Sequence, residues 1–175
     1  MSNKQSSVFI DVPSAFREIS RISKNTRIDY DKLFRFLEDN NTLHRVYAYG
    51  VQLEDESAKF IRALGHMGYV PRYRKAKTLS LLCQTCKKQV NEKSIRSTTC
   101  LVDMALDIVR NSPHVNKIII GSNDLDIIPI LEWIREQGIL VEILSRNVPA
   151  QIRALADKIT DIPDSVLEER IESYT

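Results

Sequence analysis

The chain has 175 residues, of which 43% are hydrophobic and 27% are charged, a composition typical of one soluble globular domain with its own apolar core. No run approaches the ~18 apolar residues that a membrane span needs, and the polar start at residues 1–7 lacks a signal-peptide core, so we expect a cytoplasmic protein with no membrane partner. Three cysteines, an odd number, argue against a disulfide framework.

The small net charge of +2 conceals an uneven distribution. Between residues 69 and 96 a single acid, Glu92, opposes eight basic residues, and Tyr69 and Tyr73 lie among them. The basic residues are Arg72, Arg74, Lys75, Lys77, Lys87, Lys88, Lys93 and Arg96. A basic belt with aromatic rings is typical of a polyanion-binding surface, although a solvated lysine-rich loop has the same composition.

Apolar periodicity predicts strands that alternate with helices along the chain. The strands are predicted over residues 8–12, 45–51, 69–75, 117–121 and 140–144, with a further short one over 159–162. The helices are predicted over residues 14–24, 54–67, 100–110, 126–137 and 149–157, with one more that Thr26 or Asp29 caps and that ends at residues 39–41. Alternating strands and helices favour one α/β domain over residues 1–175, with an open parallel sheet and helices on both faces.

Three segments have more specific predictions. Pro71 marks the strand over residues 69–75 as an edge strand, because proline cannot donate a ladder hydrogen bond. Residues 77–99 lack periodicity and are predicted to be an irregular insertion. Residues 163–175 are predicted to form a charged, helical C-terminal tail.

The helix over residues 100–110 has an apolar and a charged side. Its charged side is predicted to carry Asp103, Asp107 and Arg110. The residues expected to be buried are Leu101, Val102, Ala105, Ile108 and Val109.

Carboxylates follow two of the predicted strands. Asp11 ends the first strand, and Asp124 and Asp126 follow the strand over residues 117–121. In a sheet with the first five strands ordered 3-2-1-4-5, the order reverses between these two strands, and binding sites lie at that switch point, at the carboxyl ends of the strands. We therefore expect the three acids to meet there, with Asp103 leaning over the same edge.

A cluster of carboxylates raises the pKa values of its members unless a cation offsets the repulsion. Oxygen ligands without a nearby histidine favour Mg²⁺ or Mn²⁺ over zinc, and either ion can support hydrolysis of a phosphodiester. The alternative is structural, because an aspartate at a strand end commonly caps the following helix, and Asp124 or Asp126 suits that role. Both interpretations remain open at the level of spacing.

Four segments resemble the NYN domain family, the PIN-like, LabA-like group of Rossmannoid nucleases. The segments lie at residues 8–11, 27–33, 101–106 and 122–130, and the resemblance spans about residues 8–160. The last segment, Ser122-Asn123-Asp124-Leu125-Asp126-Ile127-Ile128-Pro129-Ile130, is its most specific part. The resemblance implies a PIN-like fold and a metal-dependent ribonuclease whose metal ligands and catalytic groups are Asp11, Asp103, Asp124 and Asp126.

The resemblance also suggests which residues contact RNA. The expected substrate-binding residues are Ser14, Ser122, Asn123, Arg72, Arg74, Lys75 and Lys77. The family has Gly-x-Asn where this chain has Val12-Pro13-Ser14, so that Ser14 replaces an asparagine. Cys100 likewise replaces a lysine, and Asn123 replaces a glycine. These departures favour an alternative, a catalytically lapsed NYN domain that binds RNA or a protein as a module.

Three weaker predictions concern a possible zinc site, a second enzyme class and the oligomeric state. Cys83 and Cys86 have zinc-knuckle spacing, but one such pair is half a site, and we expect free thiols and no zinc. A phosphatase-like enzyme is disfavoured because Pro13 stands where a second aspartate is needed. The sequence leaves assembly into a homo-oligomer open.

Overall fold

The computed structural model describes residues 5–22, 24–52, 55–75, 81–82, 85–86, 89–90 and 100–169. The strands are β1 (Ser6–Asp11), β2 (Thr26–Ile28), β3 (Leu43–Gln52), β4 (Val70–Lys75), β5 (Leu81–Leu82), β6 (Gln89–Val90), β7 (Lys117–Gly121), β8 (Leu140–Leu144), β9 (Lys158–Thr160) and β10 (Leu167–Glu169). The α-helices are α1 (Val12–Ile22), α2 (Tyr30–Asn40), α3 (Asp55–His66), α4 (Leu101–Asn111), α5 (Ile128–Glu136) and α6 (Ala150–Arg153). Single turns of 3₁₀ helix lie at Ser112–His114, Leu125–Ile127 and Asp164–Val166.

Six strands form one parallel sheet in the order β4-β3-β1-β7-β8-β9. This is the predicted order, extended by the short strand β9. The chain moves outward from β1 to β4 on one side and from β7 to β9 on the other, so the switch point lies between β1 and β7. Pro71 lies in β4 at the edge of the sheet, as predicted, and is in register with Ala48 of β3.

Alternate residues of the central strands bury into two separate cores, one on each face. Val8 and Ile10 of β1 face a core that contains Ile19 of α1 and Leu33 of α2. Phe9 faces a second core built with α4, α5 and α6, which contribute Met104, Ile108, Leu131, Ile134 and Ile152. Helices therefore cover both faces of the sheet, and the predicted α/β class is confirmed.

Gly68 ends α3 in the left-handed region, with φ of 98°, as expected of a residue just past a helix. The N–H of Tyr69 donates to the carbonyl of Leu64 at 3.1 Å, which satisfies a terminal carbonyl of the helix. A Cβ at Gly68 would lie 2.8 Å from Cζ of Phe34, whose ring packs edge-on against Tyr69 with centroids 5.2 Å apart. Only glycine meets both the backbone and the packing requirement.

We expect Gly68→Ala to reduce the free energy of unfolding by about 2 kcal/mol or more, because it adds both left-handed strain and a clash with Phe34. Gly138→Ala is the matched control, since Gly138 also ends a helix, with φ of 71°, but a Cβ there would meet no atom within 4 Å. That variant should lose only the backbone contribution of about 1 kcal/mol. Equal losses in urea denaturation would contradict the packing argument.

The predicted buried face of α4 is wrong in part. Val102 and Val109 are 65% and 43% exposed, whereas Asp107 and Asn111 are buried. Met104 and Ile108 pack against the sheet, so the helix is rotated about its axis relative to the prediction. In this orientation Asp107 faces inward. Burial of these two polar side chains is tolerated because each one has a hydrogen-bond partner. The Tyr49 hydroxyl donates to Asp107, and Asn111 donates to the Tyr47 hydroxyl.

Several short elements differ from the predictions. β2 pairs antiparallel with β10, so the tail from residue 163 begins with a 3₁₀ turn and a strand, not the predicted helix. Within the predicted irregular insertion at residues 77–99, β5 pairs antiparallel with β6, and most of the segment lies outside the described residues, so that prediction stays untested. Within the described ranges, no helix has the length and apolar character that crossing a bilayer requires.

Candidate functional site

The site lies at the switch point, where β1 and β7 end side by side. Ile10 is in register with Gly121, so Asp11 follows directly on one strand and Ser122 on the other. The absence of a side chain at Gly121 lets the β1 and β7 backbones and the Ile10 side chain pack closely, because a Cβ at Gly121 would lie 3.4 Å from the side chain of Ile10. Since neighbouring strands are about 4.8 Å apart, the residues that follow both strands share one short stretch of the sheet edge.

The Asp11 carboxylate is half-buried and accepts two long hydrogen bonds. The backbone N–H of Ser14 donates to Oδ1 at 3.4 Å, and the hydroxyl of Ser122 donates to Oδ2 at 3.4 Å. The Ser122 oxygen also accepts the N–H of Asp124 at 3.3 Å. Ser122 therefore links the two strand ends and holds Asp124 beside Asp11.

Burial raises the pKa of the Asp11 carboxyl above its ordinary value. The Ser14 N–H and the charge of Arg17 lower that pKa in part, and the negative charge of Asp124 raises it again. Asp11 and Asp124, from distant parts of the chain, are linked through the Ser122 hydroxyl, which contacts the Asp11 carboxylate and the Asp124 backbone N–H.

Asp124 also serves as a cap, which was the structural alternative. It is the N-cap of the 3₁₀ turn Leu125–Ile127, and its Oδ1 accepts the N–H of Asp126 at 3.1 Å. An ionised carboxylate has about four acceptor sites on its two oxygens, so this one capping hydrogen bond does not prevent Asp124 from binding a cation. The Asp126 residue is exposed on the same turn.

Ser14 and Asn123 bind each other. The Ser14 hydroxyl donates to Oδ1 of Asn123 at 2.7 Å and accepts the Asn123 backbone N–H at 3.2 Å. Ser14 is buried, so its hydroxyl locks α1 to the loop after β7 and does not face open solvent. The Nδ2 of Asn123 donates to the carbonyl of Asn147 at 3.5 Å.

The structure does not bring Asp103 into the acidic pair. Arg74 donates two hydrogen bonds to the Asp103 carboxylate, from Nε at 2.6 Å and from Nη2 at 2.9 Å. The guanidinium lowers the pKa of the Asp103 carboxyl. Within the described ranges no cluster of three or more histidine, cysteine or acidic side chains is arranged to hold a metal. The grouping of Asp11, Asp103, Asp124 and Asp126 around one ion stays a prediction, and the described hydrogen bonds connect Asp11 and Asp124 through Ser122.

The described part of the basic belt, which is Arg72, Arg74 and Lys75, lies on β4 next to α4. The Nε of Arg72 donates to Asp107 at 3.0 Å, and Lys75 is exposed at the end of the strand. Lys77 and Cys83 lie outside the described residues. Cys86 is an exposed free thiol, and the buried thiol of Cys100 donates to the carbonyl of Gly50 at 3.1 Å.

Sequence reasoning missed two buried acids that support the site. Asp107 accepts the hydroxyl of Tyr49 at 3.1 Å, and its only sequence signal was the four-residue spacing from Asp103 on one helix. Glu18, four residues after Ser14, accepts the Ser145 hydroxyl at 3.0 Å and the Asn147 N–H at 2.6 Å. Glu18 thereby fixes the loop against which Asn123 packs.

The two carboxylates fit a magnesium or manganese ion. Mg²⁺ commonly binds through one or two carboxylates and keeps several waters, so a third protein carboxylate is not required. Asp11 and Asp124 are such a donor set, and their repulsion is the kind that a divalent ion relieves.

A parallel sheet of this order, covered by helices on both faces and carrying carboxylates at its switch point, defines the class of PIN-like Rossmannoid domains. The model of the NYN domain matches residues 5–165, and the chain belongs to this family. Its structure is similar to the crystal structure of a protein of unknown function, VPA0982 from Vibrio parahaemolyticus RIMD 2210633, at 16% sequence identity and a TM-score of 0.72. The alignment covers 95% of this chain and 98% of that chain. Among curated proteins nothing matches the chain.

Proposed function

We propose that the chain is a metal-dependent ribonuclease that hydrolyses phosphodiester bonds in RNA at Asp11 and Asp124. The observation that carries the proposal is the convergence of these two residues at the switch point, where the Ser122 hydroxyl donates to the Asp11 carboxylate and accepts the Asp124 backbone N–H. Two carboxylates placed near each other cost the fold stability unless a cation offsets their charge. Membership of the NYN domain family, a nuclease-like fold, supports the same conclusion.

Asp11 and Asp124 would hold a Mg²⁺ or Mn²⁺ ion, and Asp126 extends the negative surface on the same turn. When bound, the ion polarises a phosphoryl oxygen and lowers the pKa of a water molecule. The chain itself orients the carboxylates, because the Ser122 hydroxyl donates to Asp11 and accepts from the Asp124 N–H. The lock between Ser14 and Asn123 fixes the distance between the elements that carry the two acids.

RNA is the proposed substrate because basic side chains lie on the same edge of the sheet. Arg72, Arg74 and Lys75 follow one another along β4, two strands away from β1. Phosphate groups take bidentate hydrogen bonds from guanidinium groups, and a basic surface attracts the RNA backbone over long range. Asp103 is held by Arg74 within this basic surface.

A second candidate function is an RNA-binding module without catalysis. The observation that favours it is the ion pair between Asp103 and Arg74, which withdraws one of the family's expected carboxylates from the metal site. The basic surface does not depend on that carboxylate, so RNA binding would persist.

A cleavage assay separates the two functions. We expect the purified chain to cleave labelled single-stranded RNA with Mn²⁺ and not with EDTA. Asp124→Asn should reduce the rate more than about 100-fold, because it removes a metal ligand. Asparagine still caps the 3₁₀ turn, so the variant should keep its fold.

Asp161→Asn is the matched control, because it removes one exposed carboxylate after β9 and should cleave like the wild type. RNA binding without metal-dependent cleavage in the wild type would reject the nuclease and favour the module. Cleavage that persists in Asp124→Asn would reject the proposed metal site.

A further inference from the structure

A pocket of about 230 Å³ opens between β4 and α4. Three arginines line it, Arg72 and Arg74 from the strand and Arg110 from the helix. Two acids, Asp103 and Asp107, lie between them. The pocket therefore has an excess of one positive charge over the ion pairs that it contains.

The arginines keep donors for a ligand. Arg72 uses only its Nε for Asp107 in the described contacts, and its side chain is 46% exposed. Arg110 is 71% exposed and reaches Asp107 at 3.5 Å, a long contact that uses one Nη atom. Buried Asp107 thus accepts one hydrogen bond from each of the two guanidinium groups, and both arginines line the pocket. This is the arrangement that recognises a phosphate.

The pocket also has an apolar wall. Tyr73 and Leu106 line it, and each is 49% exposed. An exposed aromatic ring beside arginines offers a stacking surface for an unpaired base, because every base has a π face. A small inorganic anion would gain no favourable contact from the apolar side chains of Tyr73 and Leu106, so the pocket suits a nucleotide better than a free phosphate.

The strand register places the pocket relative to the acids. Asp11 is in register with Tyr49 of β3, and Tyr49 is in register with Arg72 of β4. Two strand spacings separate the Cα atoms of Asp11 and Arg72, which is about 10 Å. One RNA strand that crosses the carboxyl edge of the sheet can therefore reach the acidic pair and the pocket together.

We propose that this pocket is a subsite for an unpaired nucleotide that flanks the scissile phosphate, with Arg72 and Arg110 on its phosphate and Tyr73 on its base. The inference rests on the proposed ribonuclease function and narrows the substrate to single-stranded RNA. A base within a duplex is stacked on its neighbours and cannot turn onto Tyr73.

The test measures binding of a short fluorescent single-stranded RNA by anisotropy in EDTA, where no metal-dependent cleavage occurs. Arg110→Gln should weaken binding about tenfold, because it removes a charged donor. It should also reduce the slope of log K against log salt by about 0.7, the value for one phosphate contact on a single strand. Tyr73→Leu should weaken binding of single-stranded RNA and leave the weaker binding of an RNA duplex unchanged.

Arg35→Gln is the matched control, because Arg35 is 72% exposed and pairs with an acid, Asp31, on its own helix. It removes the same charge from α2 and should bind RNA like the wild type. Equal effects of Arg110→Gln and Arg35→Gln, or unchanged binding in Tyr73→Leu, would overturn the subsite. If the variants bind as expected but the wild type never cleaves RNA, the subsite stands and the ribonuclease proposal fails.

Discussion

Replacing Asp11 by asparagine is expected to abolish metal-dependent RNA cleavage and to raise the melting temperature of the metal-free protein. The loss of activity should exceed about 100-fold, because the carboxylate is one of the two proposed metal ligands. The gain in stability follows from the raised pKa of Asp11. Both effects come from one removed charge.

The sign of the stability effect depends on the direction of the pKa shift. Because the folded state raises the pKa of Asp11, it binds the proton more tightly than the unfolded chain does. Below the ordinary carboxyl pKa, protonated Asp11 contributes to the stability of the metal-free fold. This contribution to stability is lost as the pH rises through the raised pKa that Asp11 has in the folded state. Asparagine is neutral at every pH, so Asp11→Asn should remove this loss at neutral pH.

Thermal unfolding with and without Mn²⁺ checks the argument. The wild type should gain stability from the ion by about 2.7 kcal/mol when the ion is at 100 times its dissociation constant. Asp11→Asn should gain far less, and Asp161→Asn should respond like the wild type. Equal stabilisation of the wild type and Asp11→Asn by Mn²⁺ would contradict the proposed ligand role.

Asp107→Ala is expected to destabilise the fold by about 2–3 kcal/mol. The Tyr49 hydroxyl is buried and would lose its acceptor, which costs about 1–3 kcal/mol. Arg72 would lose its partner as well, but its side chain is 46% exposed and water can hydrate the charge, so that part is small. For a domain of this size the expected drop in melting temperature is roughly 5–10 °C.

Asp103→Ala is the matched control for this experiment, because it removes an ion pair one turn earlier on the same helix. The pair between Asp103 and Arg74 is solvent-exposed, so its loss should lower the melting temperature much less than the loss of Asp107. Similar melting temperatures for Asp107→Ala and Asp103→Ala would show that the buried network contributes little. A double-mutant cycle with Tyr49→Phe would then measure the hydroxyl contact by itself.

The sequence by itself determined the sheet and the place of its functional edge. Runs such as Val8–Ile10 and Ile118–Ile120 are apolar at every position, which is required of central parallel strands covered on both faces. The strand order then follows from short right-handed connections. Since Asp11 and Asp124 directly follow two of those strands, the topology alone placed them near the same switch point.

Only the tertiary structure decided which acids face each other. The apolar periodicity of α4 did not reveal which side of the helix faces the sheet. Asp107 is a charged residue, and its burial depends on partners on β3 and β4. Arg74 likewise forms an ion pair with Asp103, and that contact joins residues 29 positions apart. Hydrophobic periodicity reports which residues leave water, whereas the pairing of charges depends on distances between elements that no local pattern encodes.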